Sequence, residues 1–409
     1  MQIKNNQRLF TIPLLVAALG YFVDIYDLLL FSIIRVESLG SLGLSREAVK
    51  MDGEFIIQMQ MIGLLIGGIL WGVIGDKKGR LSVLFGSILL YSVANIFNGF
   101  VTTVNEYALI RFIAGIGLAG ELGAGITLVS ELTPKEKRGV ATSLVAGIGL
   151  TGAVFAFIIK ENFNWRTCYF IGGGMGIALL LLRVSVFESG MYKSLANTGV
   201  QRGNFFMLFY TKERIKKYAL SILIGLPTWY VIGILVSFSN DFAPFLGITE
   251  TIDPGKAIMY AYAAIAIGDV LIGLLSQWLR SRKQALYIFY FITAVFIALF
   301  FTKQINNSAQ TMYWICAGLG FGTGFWAIFV TMGAEQFGTN IRATAATTIP
   351  NMVRGMLSIA IIPLCQLLRS QSNYFEGALY TGIVVMAVTV WAATQIPETF
   401  GKDLNYIEE

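Results

Sequence analysis

Six ionisable side chains stand inside stretches that are otherwise apolar. They are Asp24 and Asp27 in "YFVDIYDLLL", Arg111 and Glu121 in "RFIAGIGLAGE", Asp269 in "IAIGDVLIG" and Arg354 in "PNMVRGMLS". A charge near the centre of a membrane helix costs about 2.5–3.5 kcal/mol on insertion scales, so unused ones are expected to be rare. Asp24 and Asp27 are three residues apart and share a helix face. A carboxylate whose neighbouring guanidinium can move away captures or releases a proton as it does so. The chain has no His, so any proton carried near neutrality must ride on a carboxylate. Arg354 offers a planar fork suited to a carboxylate, sulfate or phosphate. Asn351 lies one turn before it.

The elements that hold these residues follow from composition. The chain has 409 residues, 56% hydrophobic and 13% charged, with mean hydropathy +0.68. Such a chain has too much apolar surface for water and reads as a polytopic membrane protein. The net charge of +6 sits in short clusters between apolar runs, which does not fit nucleic-acid binding. Cys168, Cys316 and Cys365 each lie in an apolar run and suggest neither disulfides nor a metal site. No cofactor is expected beyond a coupling proton.

Twelve segments of spanning length are expected, at roughly 11–34, 54–75, 81–102, 106–130, 139–160, 166–187, 218–239, 257–279, 285–303, 311–334, 345–368 and 376–396. The first carries Asp24 and Asp27 and is too long for a signal-peptide core, so it is read as retained. With both termini cytosolic, the cytosolic connections hold 20 Lys and Arg, Arg183 among them, against 8 on the opposite side, where Arg35, Lys160 and Arg369 fall. That asymmetry fixes the expected orientation. A basic connection divides the chain into a six-helix bundle (1–187), a cytosolic linker (188–217) and a second bundle with a cytosolic tail (218–409).

The halves repeat. "AGIGLAGELG" from Ala114 returns 203 residues later as "AGLGFGTGFW" from Ala317. Glu131 and Arg138 stand seven apart, as do Glu335 and Arg342. "GVIGDKKGR", from Gly72, has an echo in "GLLSQWLRSRK", from Gly273, where Gln277 replaces Asp76. Parallel six-helix repeats are the mark of a transporter that rocks one half against the other around a midplane site. "GVIGDKKGR" is not a phosphate-binding glycine loop, because no strand precedes it and no Gly-Lys-Ser/Thr closes it.

Gly72–Arg80 resembles the G-x-x-x-D-x-x-G-R signature of the major facilitator superfamily. "RFIAGIGLAGE" is similar to the family's fourth-helix motif. "KEKRG" (Lys135–Gly139) with Glu131, "ESGMY" from Glu188, and "PETFGKDL" (Pro397–Leu404) resemble the sugar-porter, organic-ion and metabolite:proton symporter branches. The resemblance implies an all-α fold of twelve transmembrane helices in two pseudo-symmetric bundles. It also implies that Tyr26–Asp27 and Arg111 match the proton-coupling pair of related symporters, and that the basic residue in the eleventh helix matches that of organic-anion members. The helix-5 antiporter motif is missing, since "GIGLTGAVFA" (Gly147–Ala156) has no Pro.

The function expected is proton-coupled uptake of a small organic anion of carboxylate type. The alternatives are a proton-coupled symporter of a sugar or other neutral metabolite, or an exporter of drugs or organic cations. A non-transporting receptor does not account for six buried charges, and no catalytic set suggests an enzyme. The proton-coupling group is Asp24, Asp27 and Arg111; a static Asp27–Arg111 salt bridge is the plainer reading. Candidate substrate contacts are Glu121, Arg354, Asn351, Asp269, Gln58, Trp229, Tyr230 and Trp326. Glu121 either faces substrate or bonds across a tight helix contact, and Arg354 either binds an anion or pairs with Asp269 or Glu335. Asp76, Arg80, Glu131, Arg138, Glu335 and Arg342 are the expected cytosolic gate. The expected setting is a bacterial inner membrane, with a monomer in contact with the lipid bilayer and a small-molecule substrate, and no nucleic acid.

Overall fold

The computed structural model of the chain describes residues 12–78, 80–121, 138–188, 205–370 and 372–401. The described backbone is helices joined by short turns, in twelve passes. The first six are α1 (Ile12–Ser41), α2 (Arg46–Lys78), α3 (Arg80–Asn98), α4 (Val104–Leu118), α5 (Arg138–Asn162) and α6 (Trp165–Glu188). The last six are α7 (Lys212–Val236), α8 (Pro254–Leu279), α9 (Arg282–Phe301), α10 (Ala309–Glu335), α11 (Thr344–Ser370, entered by a first turn from Thr339) and α12 (Tyr374–Gln395). Ten of these are long and apolar enough to cross a membrane by length and composition, and α3 contributes the shorter apolar stretch Ser82–Asn98. Large apolar side chains point outward, among them Phe291, Leu181 and Leu274, as a surface facing lipid rather than water would require.

Polar caps set the helix ends. Thr103 and Glu106 close a capping box on α4, and Asp253, Ser308 and Asn373 cap α8, α10 and α12. Each accepts from backbone N–H groups that have no partner inside the helix. These caps share one face of the bundle, called here the far face. The start of α1 and the end of α12 lie on the opposite, terminal face. α1 continues as helix to Ser41, past the expected 34, and α2 begins at Arg46 rather than 54. Hydropathy falls at Arg35, Glu37 and the polar run from Arg46, but the backbone stays helical through them.

In the first six passes α1 packs on α5 and α6, and α2 and α3 pack on α4. In the last six α8 and α9 pack on α10. α5 meets α8 and α2 meets α11 across the two sets. The repeat is visible at atomic contacts. A side chain at Gly67 would strike the Ile116 carbonyl, and one at Gly268 would strike the Phe321 carbonyl. Gly115 lies on the Gln60 carbonyl as Gly320 lies on that of Ala261. α2 and α8 therefore correspond at a spacing of 201, but α4 and α10 correspond at 205, not at the 203 of the sequence match. The contact register, not the letter match, pairs Gly115 with Gly320.

Among the described residues, α7, α10 and α11 of the second set are interrupted, and α4 of the first set turns at Ala119–Gly120, which at the spacing of 205 matches Gly324–Phe325 of α10. α7 restarts at Leu226, with Pro227 in its first turn, and passes through a π-turn at Val231–Val236. α10 is interrupted at Gly324–Phe325, and α11 carries Pro350 and a π-turn at Leu357–Ile361. Such interruptions leave backbone groups and side chains free to turn toward a central site.

Candidate functional site

α1 brings Asp27 against α4, and the expected pair forms. Arg111 Nη1 donates to Asp27 Oδ1 at 2.9 Å, and Nη2 donates to the Asp27 carbonyl at 2.9 Å. Nη1 also reaches Asn95 Oδ1 of α3 at 3.1 Å, and Nε reaches Gln60 Oε1 of α2 at 3.4 Å. Asp27 and Arg111 are wholly buried. Four helices thus close on one guanidinium. Asn95 and Gln60 did not stand out in the sequence, because an amide in an apolar run carries no charge signature.

Glu121 is taken up by Arg183 of α6 in a two-pronged contact, Nη1 to Oε2 at 3.1 Å and Nη2 to Oε1, with both side chains 1% exposed. Gly20 of α1 lies directly against this pair, where any side chain would collide with it. Of the two readings of Glu121, the structure shows the cross-helix contact. Arg183 corrects the loop count: it lies inside α6, not in a cytosolic connection.

The centre between the two sets is built around Arg354 of α11. Its nearest acid is Asp24 of α1, Nη2 to Oδ2 at 4.0 Å, a salt-bridge distance but no hydrogen bond. Neither Asp24 oxygen has a hydrogen-bond partner, and neither do Arg354 Nε and Nη1 or Trp229 Nε1. The guanidinium carbon lies 6.0 Å from the Trp229 ring of α7 and 5.9 Å from the Trp326 ring of α10. Both rings come from the breaks in those helices. Asn351 Nδ2 donates across the halves to the Ala119 carbonyl at 2.8 Å, leaving its Oδ1 without a partner.

Arg354 is not paired with Asp269 or with Glu335. Asp269 Oδ1 accepts from the Ala327 amide at 3.0 Å, capping the restarted half of α10. Glu335 accepts from Arg282 of α9 at 2.6 Å. The Tyr230 hydroxyl donates to the Ala378 carbonyl of α12 at 2.8 Å, away from the centre. Gln58 is half-buried and meets α11 through its carbonyl, which accepts from Ser358 at 2.8 Å. Of the expected terminal-face gate, the side chains of Asp76, Arg80, Arg138 and Arg342, and all of Glu131, lie outside the described residues. Glu398 caps α9, accepting from Ser281 Oγ, Arg282 N and Lys283 N.

The far face holds contacts the sequence did not reveal. Arg35, fully buried in α1, donates to the Ser237 carbonyl at 3.2 Å, Asn240 Oδ1 at 2.9 Å and Asp241 Oδ2 at 3.3 Å, and lies 4.1 Å over the Phe238 ring. Glu54 of α2 binds Arg369 of α11 at 2.7 Å, and Lys160 of α5 binds Asp253 at the start of α8 at 2.6 Å. All three contacts cross between the sets, so the far ends of the two sets are held together. Arg35, Lys160 and Arg369 had been counted as bases of outer connections; each is instead matched by an acid of the other set.

A bundle of broken and unbroken spanning helices around a buried, unmet guanidinium defines a membrane transport protein, not an enzyme. The chain matches the Major Facilitator Superfamily over residues 17–363 and belongs to that family. It is 25% identical to a niacin transporter, NiaP, of Acinetobacter baylyi, covering 96% of this chain and 95% of that one. It is 25% identical to a cis,cis-muconate transport protein of the same organism, covering 98% of each. Among solved structures, the inward-open xylose transporter XylE of E. coli superposes with a TM-score of 0.70 over 96% of this chain and 97% of that one, at 19% identity.

Proposed function

We propose that this transporter moves a small planar carboxylate, coupled to a proton, by alternating access, and that the Arg354 centre is where the carboxylate binds. The observation that carries the reading is the guanidinium between Trp229 and Trp326, whose Nε and Nη1 are unmet and whose Nη2 faces Asp24 only across 4.0 Å, so that Nε or Nη1 together with Nη2 can form the two parallel bonds a carboxylate accepts. Flanking indoles suit an aromatic or conjugated acid. The names of the similar transporters support this, since niacin and muconate are both planar acids. We place both termini in the cytosol of a bacterial inner membrane, the far face toward the periplasm and the working unit as a monomer. The arrangement described is then closed to the periplasm by the Arg35, Glu54 and Lys160 contacts. One of the two α1 carboxylates is the proton carrier, and the six-helix sets joined by the connection at 188–217 are the moving bodies.

The test is uptake into proteoliposomes of a panel of niacin, benzoate, cis,cis-muconate, xylose and an organic cation, with an acid-outside gradient. Planar carboxylates should accumulate. Arg354→Lys keeps the charge but loses the fork, and should weaken their binding by roughly ten-fold or more. Accumulation of xylose or the cation with no response to carboxylates would overturn the reading.

A further inference from the structure

Two acids on one face of α1, three residues apart, meet different fates. Asp27 accepts a charged hydrogen bond from Arg111, whose fork is also held by its own backbone, Asn95 and Gln60. That arrangement matches Asp27 with a countercharge in direct contact. Asp24, equally buried, has no hydrogen bond and faces one cation, Arg354, across 4.0 Å. The other charged or titratable groups about it do not serve as partners. Glu121, which follows the turn at the end of α4, is neutralised by Arg183 of α6, Tyr262 of α8 and Tyr21 of α1 are near both Asp24 and Arg354, and Asp27 is taken by Arg111.

We infer that Asp24 and the carboxylate of the substrate compete for Arg354, and that Asp24 is the group that carries the proton. This rests on the carboxylate reading above. When a substrate carboxylate takes the guanidinium, Asp24 loses its countercharge. A buried, unpaired carboxylate is far more costly than its neutral acid. One proton therefore enters from the side open to solvent and forms the O–H bond of the Asp24 carboxylic acid. On the other side the substrate leaves as the anion, the Asp24 acid gives its proton to water, and the Arg354–Asp24 contact re-forms. The centre is neutral in both states, as a guanidinium with Asp24 or as a guanidinium with substrate beside a neutral acid. Transport of a monocarboxylate is then one proton per substrate and moves no net charge.

The competition makes an unusual prediction for Asp24→Asn. Removing a competitor should leave niacin binding as tight as, or tighter than, in the unaltered protein, and should abolish its pH dependence. In weakly buffered solution, the unaltered protein should take up about one proton per niacin bound, and Asp24→Asn none. Asp24→Asn should lose accumulation on a pH gradient but retain exchange of labelled for unlabelled niacin. If the variant does not fold, infrared difference spectra of the unaltered protein must show a protonated carboxylic acid appearing when niacin binds, at a frequency that moves in Asp24→Glu. Proton uptake that persists in Asp24→Asn, binding that weakens there, or no acid band in the unaltered protein would overturn the inference while leaving the carboxylate reading standing. If the unaltered protein binds no planar carboxylate at all, both fall together.

Discussion

The first and last six helices repeat one another in their glycine contacts, yet they bury charge in opposite ways. The first set closes two ion pairs within itself, Asp27–Arg111 and Glu121–Arg183, on helices such as α1 and α2 that run 30 and 33 residues without a break. The last set holds Arg354 with its nearest acid on the other set, and it interrupts α7, α10 and α11 close to aromatic side chains. The contrast falls at matching depth. The turn at Ala119–Gly120 matches the Gly324–Phe325 break, but the residue just after it is Glu121, taken up by Arg183, in the first set and Trp326, beside Arg354, in the last. One half is stiffened by satisfied charge; the other is shaped by kinks and left with an unmet donor. A division of labour follows, with a fixed electrostatic scaffold on one side and an adaptable pocket wall on the other.

The largest effects should come from attacking the scaffold. Breaking a buried ion pair by removing one partner costs about 3–5 kcal/mol, because the other charge stays buried. Glu121→Gln or Arg183→Met should therefore lower thermal stability sharply. The double change Glu121→Leu with Arg183→Met should recover much of it, since an apolar pair of similar bulk avoids the stranded charge. Melting of the purified single and double variants decides this. A double variant no better than the singles would mean that the pair does more than neutralise itself.

A smaller effect should come from the adaptable half. Trp326→Ala removes one indole beside Arg354, a loss of about 1–2 kcal/mol for an aromatic acid, or roughly 5–30-fold in affinity. The expected stability change is slight compared with that of Glu121→Gln. A non-aromatic acid such as acetate should respond less. Equal losses for both ligands would show that Trp326 shapes the helix break and does not contact the ring.

Between the halves, the far-face contacts should set the balance of states. Glu54→Gln weakens the Arg369 contact, which is partly exposed, so a shift of about 1 kcal/mol, near five-fold, toward far-face opening is expected. Labelling of a cysteine introduced on the central wall, by a reagent added from the far side, would report it. Faster labelling supports a latch; unchanged labelling means these contacts do not hold the face closed.

The sequence made the twelve passes legible because apolar length is a strong signal, and it placed Asp27 against Arg111 because depth along two antiparallel helices limits the choices. Partner identity at the centre was less legible. Asp269 and Asp24 lie at comparable depths, and only the rotation of α1 and α8 about their axes decides which acid faces Arg354. That rotation is set by glycine contacts such as Gly149 on Tyr21 and Gly268 on Phe321, and a hydropathy window does not see it. Arg183 and Arg35 were misplaced for a related reason. A base near the end of an apolar run reads as a loop residue unless its buried acid is known. The far-face contacts were hidden because each joins residues about 90 to 315 positions apart.

The smallest effect tests the terminal end of the adaptable half. Glu398 follows α12 and folds back to cap α9, accepting from Ser281 Oγ at 2.5 Å and from the amides of Arg282 and Lys283, each at 3.1 Å. Those hydrogen bonds outweigh partial burial and hold its carboxyl below the ordinary value of 4.5, down to about 2. A group depressed in the folded protein stabilises it fully above the ordinary value, and that contribution is lost as pH falls through the folded value. Glu398→Gln imitates the protonated acid. The variant should melt about 1–3 °C below the unaltered protein at pH 7. The gap should hold down to about pH 5 and narrow steadily below 4.5, because the unaltered protein is then becoming what the variant already is. A gap that stayed constant from pH 7 to pH 3 would show that the cap works through shape and not through charge. The contrast with the first half, where buried pairs should make single changes severe at every pH, would then rest on burial alone.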